Sequence, residues 1–151
     1  MATIPVTDVR GRNPYRGCGH PNPDHSWAGG RFERDHGFLA LGTRNDQFAV
    51  SYFQENDLPF LAPFAKRFTI LDRHVASLLG PTMPNRQYVH SATSEGRKDS
   101  PRPLESGLYR ATTIWDRLIA SNVPAAYYYS NLPVLLLWSD RLDPFIRPQA
   151  P

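Results

Sequence analysis

The sequence predicts an α/β fold, and three kinds of signal lead to that prediction. Thr69-Ile70-Leu71 indicates a buried strand, predicted at 69–73, that leads toward a rigid turn. Residues 125–130 are rich in tyrosine, an aromatic residue that favours strands. Helix signals at 57–66, 83–92 and 113–122 accompany these strands. A strand followed by a turn and a helix is the arrangement in which open α/β sheets place their ligand sites.

Length and composition indicate one folded domain with much irregular structure. A chain of 151 residues can bury one core, and its 40% hydrophobic and 12% aromatic content excludes disorder by composition. Its 15 prolines are about twice the average share, so short elements and loops should be frequent. Residues 1–30 lack periodicity and are predicted to be irregular, and the polar segment 94–107 is predicted to be an exposed loop.

Several classes of protein and site receive little support. The net charge is only +3 and no run of five basic residues occurs, so we expect no nucleic-acid partner. The longest strongly apolar run, 132–138, is far shorter than the ~20 residues of a transmembrane helix. The lone Cys18 excludes an internal disulfide and a multi-cysteine metal site. No signal-peptide pattern follows Met1, and cellular location and oligomeric state stay open.

The first predicted helix, 57–66, has a cap at Asn56 or Asp57 and a proline, Pro59, in its first turn. Pro63 falls inside the apolar pattern and is expected to kink or shorten the helix. Four apolar residues recur at helical spacing and are expected to face the core: Leu61, Phe64, Ala65 and Phe68.

The turn Gly80-Pro81-Thr82-Met83-Pro84 precedes the second predicted helix. Because Pro84 suits a first helical turn, Thr82 is the predicted N-cap. An anion bound there would meet the N–H groups of Met83 and Asn85, and Arg86 lies four residues after Thr82 on the same helix face. The same residues also suit an ordinary strand-to-helix turn with a capping threonine, so both interpretations stay open.

Histidine and tyrosine provide the other candidate sites. His25 follows Asp24, and such a pair could bind a metal, protonate a leaving group, or simply be solvated. His20, His36, His74 and His90 are interpreted as surface or packing residues. Thr112 or Thr113 should cap a helix that ends near Asn122. The three tyrosines at 127–129 are expected to pack in the core rather than stack on a substrate.

Residues 51–93 resemble the central signature of the bacterial phosphoesterase family that includes phospholipase C and a group of acid phosphatases. The resemblance lies in Asp-Leu-Pro-Phe at 57–60, Asp-Arg at 72–73 and Gly-Pro-Thr-Met-Pro-Asn-Arg at 80–86. It extends to Pro-Asp-His-Ser-Trp at 23–27 and to a helix, tyrosine-rich strand and apolar run at 113–138. Together these motifs cover residues 18–138.

The resemblance implies a fold, an activity and a set of site residues. The fold would be part of a three-layer α/β/α domain of the alkaline phosphatase type. Thr82 would be the nucleophile and a metal ligand, and Asn85, Arg86 and His25 would bind the substrate. A divalent metal would assist, and the substrate would be a phosphoester, a class that includes phospholipids. Members of the family are often exported.

The sequence also departs from the family. The segments that supply the family's other metal ligands, a Glu-Asn-Arg-Ser-Phe-Asp-His-like motif and an acidic-Glu-His-Gly-Gly-like motif, do not occur in it. We therefore expect residues 1–151 to form a single partial phosphoesterase domain, an internal piece of a larger enzyme with little activity alone. The alternative is a truncated, non-catalytic remnant or interaction module.

Overall fold

The computed structural model describes residues 3–9, 19–100, 108–130, 133–138 and 146–148. The chain divides into two compact units, Met1–Leu79 and Gly80–Pro151, which are described separately. Within the described residues, no helix is both long enough and apolar enough to cross a membrane.

The described residues of the first unit form two short strands and two helices: β1 (Ile4–Pro5), α1 (Trp27–His36), β2 (Ser51–Tyr52) and α2 (Leu61–Arg67). The strands are parallel, with Ile4 opposite Ser51 and Pro5 opposite Tyr52. Three short 3₁₀ turns lie at Val6–Asp8, Gln47–Val50 and Glu55–Asp57.

Helix α1 was not anticipated, and the prediction of an irregular segment 1–30 is wrong at its end. The hydroxyl of Ser26 caps the helix by accepting a hydrogen bond from Gly29 N at 3.0 Å. Two consecutive glycines, Gly29 and Gly30, lower the helical propensity of this stretch and so obscured the signal. Gly29 is required because a Cβ there would lie 2.2 Å from Cγ of Asp24.

Helix α2 begins later than predicted, at Leu61, and a separate 3₁₀ turn occupies Glu55–Asp57. Pro63 therefore lies in the first helical turn, where its missing N–H costs nothing, and this explains why the helix begins where it does. The expected apolar face is not buried: Leu61, Phe64 and Phe68 are 56%, 52% and 61% exposed. The prediction that this face meets the core is wrong for the described structure.

The predicted strand at 69–73 is also wrong. These residues form no strand, and Ile70 and Leu71 are 63% and 70% exposed. An apolar run becomes a strand only where a neighbouring strand satisfies its backbone groups, and none pairs with this segment in the described parts of the chain.

The second unit contains α3 (Thr82–Ser91), α4 (Ile114–Ala120), β3 (Tyr127–Tyr129) and β4 (Ile146–Pro148). These elements confirm the predicted helices at 83–92 and 113–122 and the predicted strand at 125–130. Thr113 caps α4, accepting from Asp116 N while Asp116 accepts from Thr113 N. Strand β3 pairs in parallel with β4, and Tyr127 lies opposite Ile146.

The core of the second unit forms around a 3₁₀ turn, Val134–Trp138. Tyr109, Leu135, Leu137 and Trp138 are buried, and Tyr109 N donates to Leu137 O at 2.8 Å. Tyr127 packs against this cluster, as expected for a core tyrosine, whereas Tyr128 is 66% exposed.

The predicted exposed loop at 94–107 is described only as far as residue 100. Its first residue, Ser94, is buried, which corrects the prediction at that end. The carboxylate of Glu95 accepts hydrogen bonds from the backbone N–H groups of Arg110 and Ala111, so this part of the loop is anchored. Residues 101–107 lie outside the described part of the chain.

The architecture is α/β in the coarse sense, with helices and short parallel strand pairs. The three-layer arrangement of the alkaline phosphatase type remains an expectation.

Candidate functional site

Thr82 is the first residue of α3 and its side chain is exposed. The N-cap is Pro81, whose extended backbone (φ −72°, ψ 175°) occupies that position, so the prediction that Thr82 is the N-cap is wrong by one residue. This shift matters because a capping hydroxyl is engaged by backbone N–H groups. In the described part of the chain, the Thr82 hydroxyl has no hydrogen-bond partner, so it is available at the helix start.

The two prolines of the turn decide which N–H groups the helix start can present. The N-cap and the first three helical residues have no acceptor within a helix, and here Pro81 and Pro84 have no N–H at all. Thr82 and Met83 therefore supply the two outward N–H groups, which replaces the expected pair Met83 and Asn85. Met83 N reaches a serine hydroxyl, Ser100 Oγ, at a long 3.4 Å.

Asn85 binds the turn rather than pointing away from it. Its Nδ2 donates to Pro81 O at 3.1 Å and to Gly80 O at 3.3 Å. These bonds tie the fourth helical residue to the two residues that precede Thr82, and so they fix the direction in which the chain enters the helix.

We expect Asn85→Ala to lower the free energy of unfolding by about 1–2 kcal/mol, because two backbone carbonyls lose their donor. Urea denaturation followed by circular dichroism measures the change. Asn56→Ala is the matched control, since Asn56 is exposed and no bond of its side chain is seen in the described structure. Equal effects of the two substitutions would contradict the structural role of Asn85.

Arg86 is exposed and lies one helical turn after Thr82. Its charge also acts on His90, one turn further along α3. Burial lowers the pKa of His90, and the positive charge of Arg86 lowers it further. His90 Nδ1 accepts a hydrogen bond from Trp115 Nε1 at 3.1 Å, so this histidine packs between α3 and α4, as the packing interpretation anticipated.

His25 belongs to the first unit and is exposed. Its Nδ1 lies 3.0 Å from Pro23 O, and because a carbonyl only accepts, Nδ1 is the donor of this hydrogen bond. Asp24 does not orient this ring. Its Oδ1 accepts from Ser26 N at 3.0 Å, and this backbone bond, followed by the Ser26 side chain, lowers the pKa of the Asp24 carboxyl.

A close His–Asp pair exists elsewhere in the first unit and was missed. His20 Nδ1 lies 2.7 Å from Asp46 Oδ2, and the His20 ring stacks on Phe48 with centroids 4.7 Å apart. Burial acts to raise the pKa of Asp46, but the hydrogen bonds from the His20 ring and from Phe48 N together outweigh it, so the pKa lies below its usual value. No local pattern could have revealed the pair, since 26 residues separate its members.

The metal expected from the family resemblance needs a set of ligands. Among the described residues, no group of three or more His, Cys, Asp or Glu side chains is placed to hold a metal ion. The contacts around the start of α3 involve hydroxyl, amide and carbonyl groups, not carboxylates. The described residues therefore do not fit a divalent metal at Thr82.

Known proteins are similar to this sequence over most of its length. The phosphoesterase family profile matches residues 9–148. Non-specific phospholipase C6 of Arabidopsis thaliana is 34% identical over 100 residues, which cover 66% of this chain and 19% of that protein. Non-specific phospholipase C4 of the same plant is 31% identical over 122 residues, or 78% of this chain and 21% of that protein.

A bacterial protein is also similar to most of this chain and is likewise much longer. Non-hemolytic phospholipase C of Pseudomonas aeruginosa is 29% identical over 119 residues, which cover 72% of this chain and 16% of that protein. The chain thus spans about a fifth of the length of the curated relatives that it matches. Because the family profile extends over nearly the whole sequence, including both units and the turn before α3, the chain belongs to the phosphoesterase family.

Proposed function

We propose that this chain carries the nucleophile of a phosphoester hydrolase, and that the nucleophile is Thr82. The observation that carries the proposal is the exposed Thr82 hydroxyl at the first residue of α3, which has no hydrogen-bond partner among the described residues. Membership of the phosphoesterase family supports it. In the proposed reaction, Thr82 Oγ1 forms a bond to phosphorus while the bond from phosphorus to the leaving alcohol oxygen breaks. The hydroxyl proton leaves to a base, and the alcohol takes up a proton.

The start of α3 offers two features that favour a phosphoryl group. The N–H groups of Thr82 and Met83 and the positive end of the helix dipole attract the phosphoryl oxygens. Arg86 adds a guanidinium on the same helix face, which can bind two phosphoryl oxygens at once. These donors would also stabilise the charge that develops during the transfer.

Asn85 and His25 would contribute differently to substrate binding. Asn85 was expected to bind the phosphate, but its Nδ2 is already engaged by two carbonyls, so its direct contribution would require that those bonds open. His25 retains the proposed role in substrate binding through Nε2, on the strength of the Pro-Asp-His-Ser-Trp resemblance. Metal assistance by a divalent ion remains part of the proposal for the whole enzyme, with ligands other than those described.

For the substrate, we propose a phospholipid. The relatives that match this chain are named as phospholipases C, from a plant and from a bacterium. The alternative, a non-catalytic remnant or interaction module, predicts phosphate binding at α3 without turnover in any longer chain that contains it.

Binding of inorganic phosphate to the purified chain tests the anion site without requiring turnover. We expect saturable shifts of the Thr82 and Met83 amide resonances in two-dimensional NMR spectra. Arg86→Gln should weaken binding about tenfold, since a charge-assisted bond is lost. Arg117→Gln, at an exposed arginine of α4, is the matched control and should change little. Equal weakening by both variants, or unshifted Thr82 and Met83 amides, would contradict the proposed anion site.

A further inference from the structure

A cavity of about 660 Å³ lies in the first unit, along one side of α1. Its volume falls in the range of small-molecule sites. The lining combines two carboxylates, Asp24 and Glu33, with the ring of Phe32, the methyl group of Ala28 and the side chain of Arg44. None of these residues has a part in the proposed chemistry at Thr82.

Glu33 is the unusual member of this lining because it is only 5% exposed. Its Oε1 accepts a hydrogen bond from Asn45 Nδ2 at 2.7 Å, and Asn45 Nδ2 also donates to Phe38 O at 3.0 Å, so the carboxylate is held in place. Within the described part of the chain, Glu33 Oε2 has no hydrogen-bond partner and no cation pairs with the carboxylate. A buried carboxylate without a partner charge is costly, and this one faces a cavity.

The rest of the lining leaves the cavity with an excess of negative charge. Asp24 folds over Gly29, where any Cβ would collide with it, and adds a second carboxylate to the same wall. Its Oδ1 is engaged by Ser26 N, and Asp24 forms no ion pair with a lysine or arginine in the described structure. Arg44 is the one cationic residue of the described lining, yet it is exposed and forms no ion pair with either carboxylate.

We propose that this cavity binds a small organic ammonium ion. The cationic nitrogen pairs with Glu33 and Asp24, and its alkyl groups contact Phe32 and Ala28. A bare metal ion fits less well, because two carboxylates in a wide and partly apolar cavity do not provide the six or more oxygen ligands that hard cations need. The proposal does not depend on the phosphoesterase activity.

The test is titration of the full chain with tetramethylammonium chloride, followed by two-dimensional NMR against a sodium chloride background of equal ionic strength. We expect saturable shifts of the Gly29, Gly42 and Thr43 amides, which belong to the cavity wall. The neutral compound tert-butanol, which has nearly the same shape, should give no saturable shifts. Equal saturation by tert-butanol would overturn the proposal, since charge would then be irrelevant.

Two variants and a control locate the site. Glu33→Gln keeps the acceptor for Asn45 but removes the charge, and it should weaken binding at least about tenfold. Ala28→Leu fills the cavity from the exposed face of α1 and should abolish binding without touching either carboxylate. Glu55→Gln removes an exposed carboxylate that pairs with Lys66 away from the cavity, and should leave binding unchanged. Unchanged binding in Ala28→Leu, or in a folded Glu33→Gln variant, would overturn the proposal.

Discussion

Thr82→Ala is expected to abolish phosphoester hydrolysis in a complete enzyme that contains this sequence. Alanine has no oxygen to attack phosphorus, and loss of a nucleophile that acts together with its activating groups lowers kcat by about 10³-fold or more. Thr82→Ser should keep part of the activity because it keeps a hydroxyl at the same position. Steady-state kinetics with a phosphodiester substrate measure both changes.

Folding should survive the substitution, which makes the kinetic result interpretable. Thr82 is exposed, and its side chain has no hydrogen-bond partner among the residues that the structure describes. Thr82→Ala should therefore change the free energy of unfolding by no more than about 0.5 kcal/mol. Thr112→Ala is the matched control, because Thr112 is an exposed threonine of the same unit. Full activity of the Thr82→Ala enzyme would rule out Thr82 as the nucleophile.

The 151-residue chain by itself is expected to show little or no phosphoesterase turnover. A threonine hydroxyl is a weak nucleophile near neutral pH and needs an adjacent base or a metal. No base is hydrogen-bonded to Thr82 in the described structure, and the described residues assemble no group of three metal-ligating side chains. Activation of this kind contributes several kcal/mol to catalysis, so without it the rate should fall below detection.

The measurement is hydrolysis of a chromogenic phosphodiester and of short-chain phosphatidylcholine by the purified chain, with and without added divalent metals. The chain carrying Thr82→Ala serves as the blank, because it removes the hydroxyl and leaves the fold nearly unchanged. A turnover that depends on Thr82 and rises with metal would contradict the prediction, and would show that this sequence contains a complete set of ligands.

Helices α3 and α4 illustrate where sequence-based prediction was accurate. The prolines at 81 and 84 act on their own turn of backbone, and Thr113 with Asp116 forms a capping box within one turn. Such signals involve residues at most four positions apart, so they can be recognised in the sequence directly. The error at the start of α3 was a single residue, because either Pro81 or Thr82 could occupy the cap.

Helix α1 and the segment 69–73 illustrate where sequence-based prediction failed. Two glycines lower the helical propensity of α1, so the sequence did not predict this helix. It forms because Ser26 caps it and Asp24 packs closely against Gly29. Ile70 and Leu71 have strand-forming side chains, but no strand among the described residues pairs with them. The apolar face of α2 likewise has the spacing of a core helix, yet it remains exposed. Burial and pairing depend on what lies opposite, which local patterns do not specify.

The features of the candidate site also fall into two groups: those that local sequence predicts, and those that depend on tertiary contacts. The sequence by itself determined that Thr82 lies at the start of a helix, that Arg86 follows one turn later, and that the chain carries the motifs of a phosphoesterase. Only the tertiary structure decided that Asn85 binds the turn and that His90 packs against Trp115. It also decided that His20, and not His25, pairs with an aspartate, and that Glu33 faces a cavity. The physical reason is distance along the chain: capping and proline effects act within one helical turn, whereas a side chain is buried or paired by partners that only folding brings near.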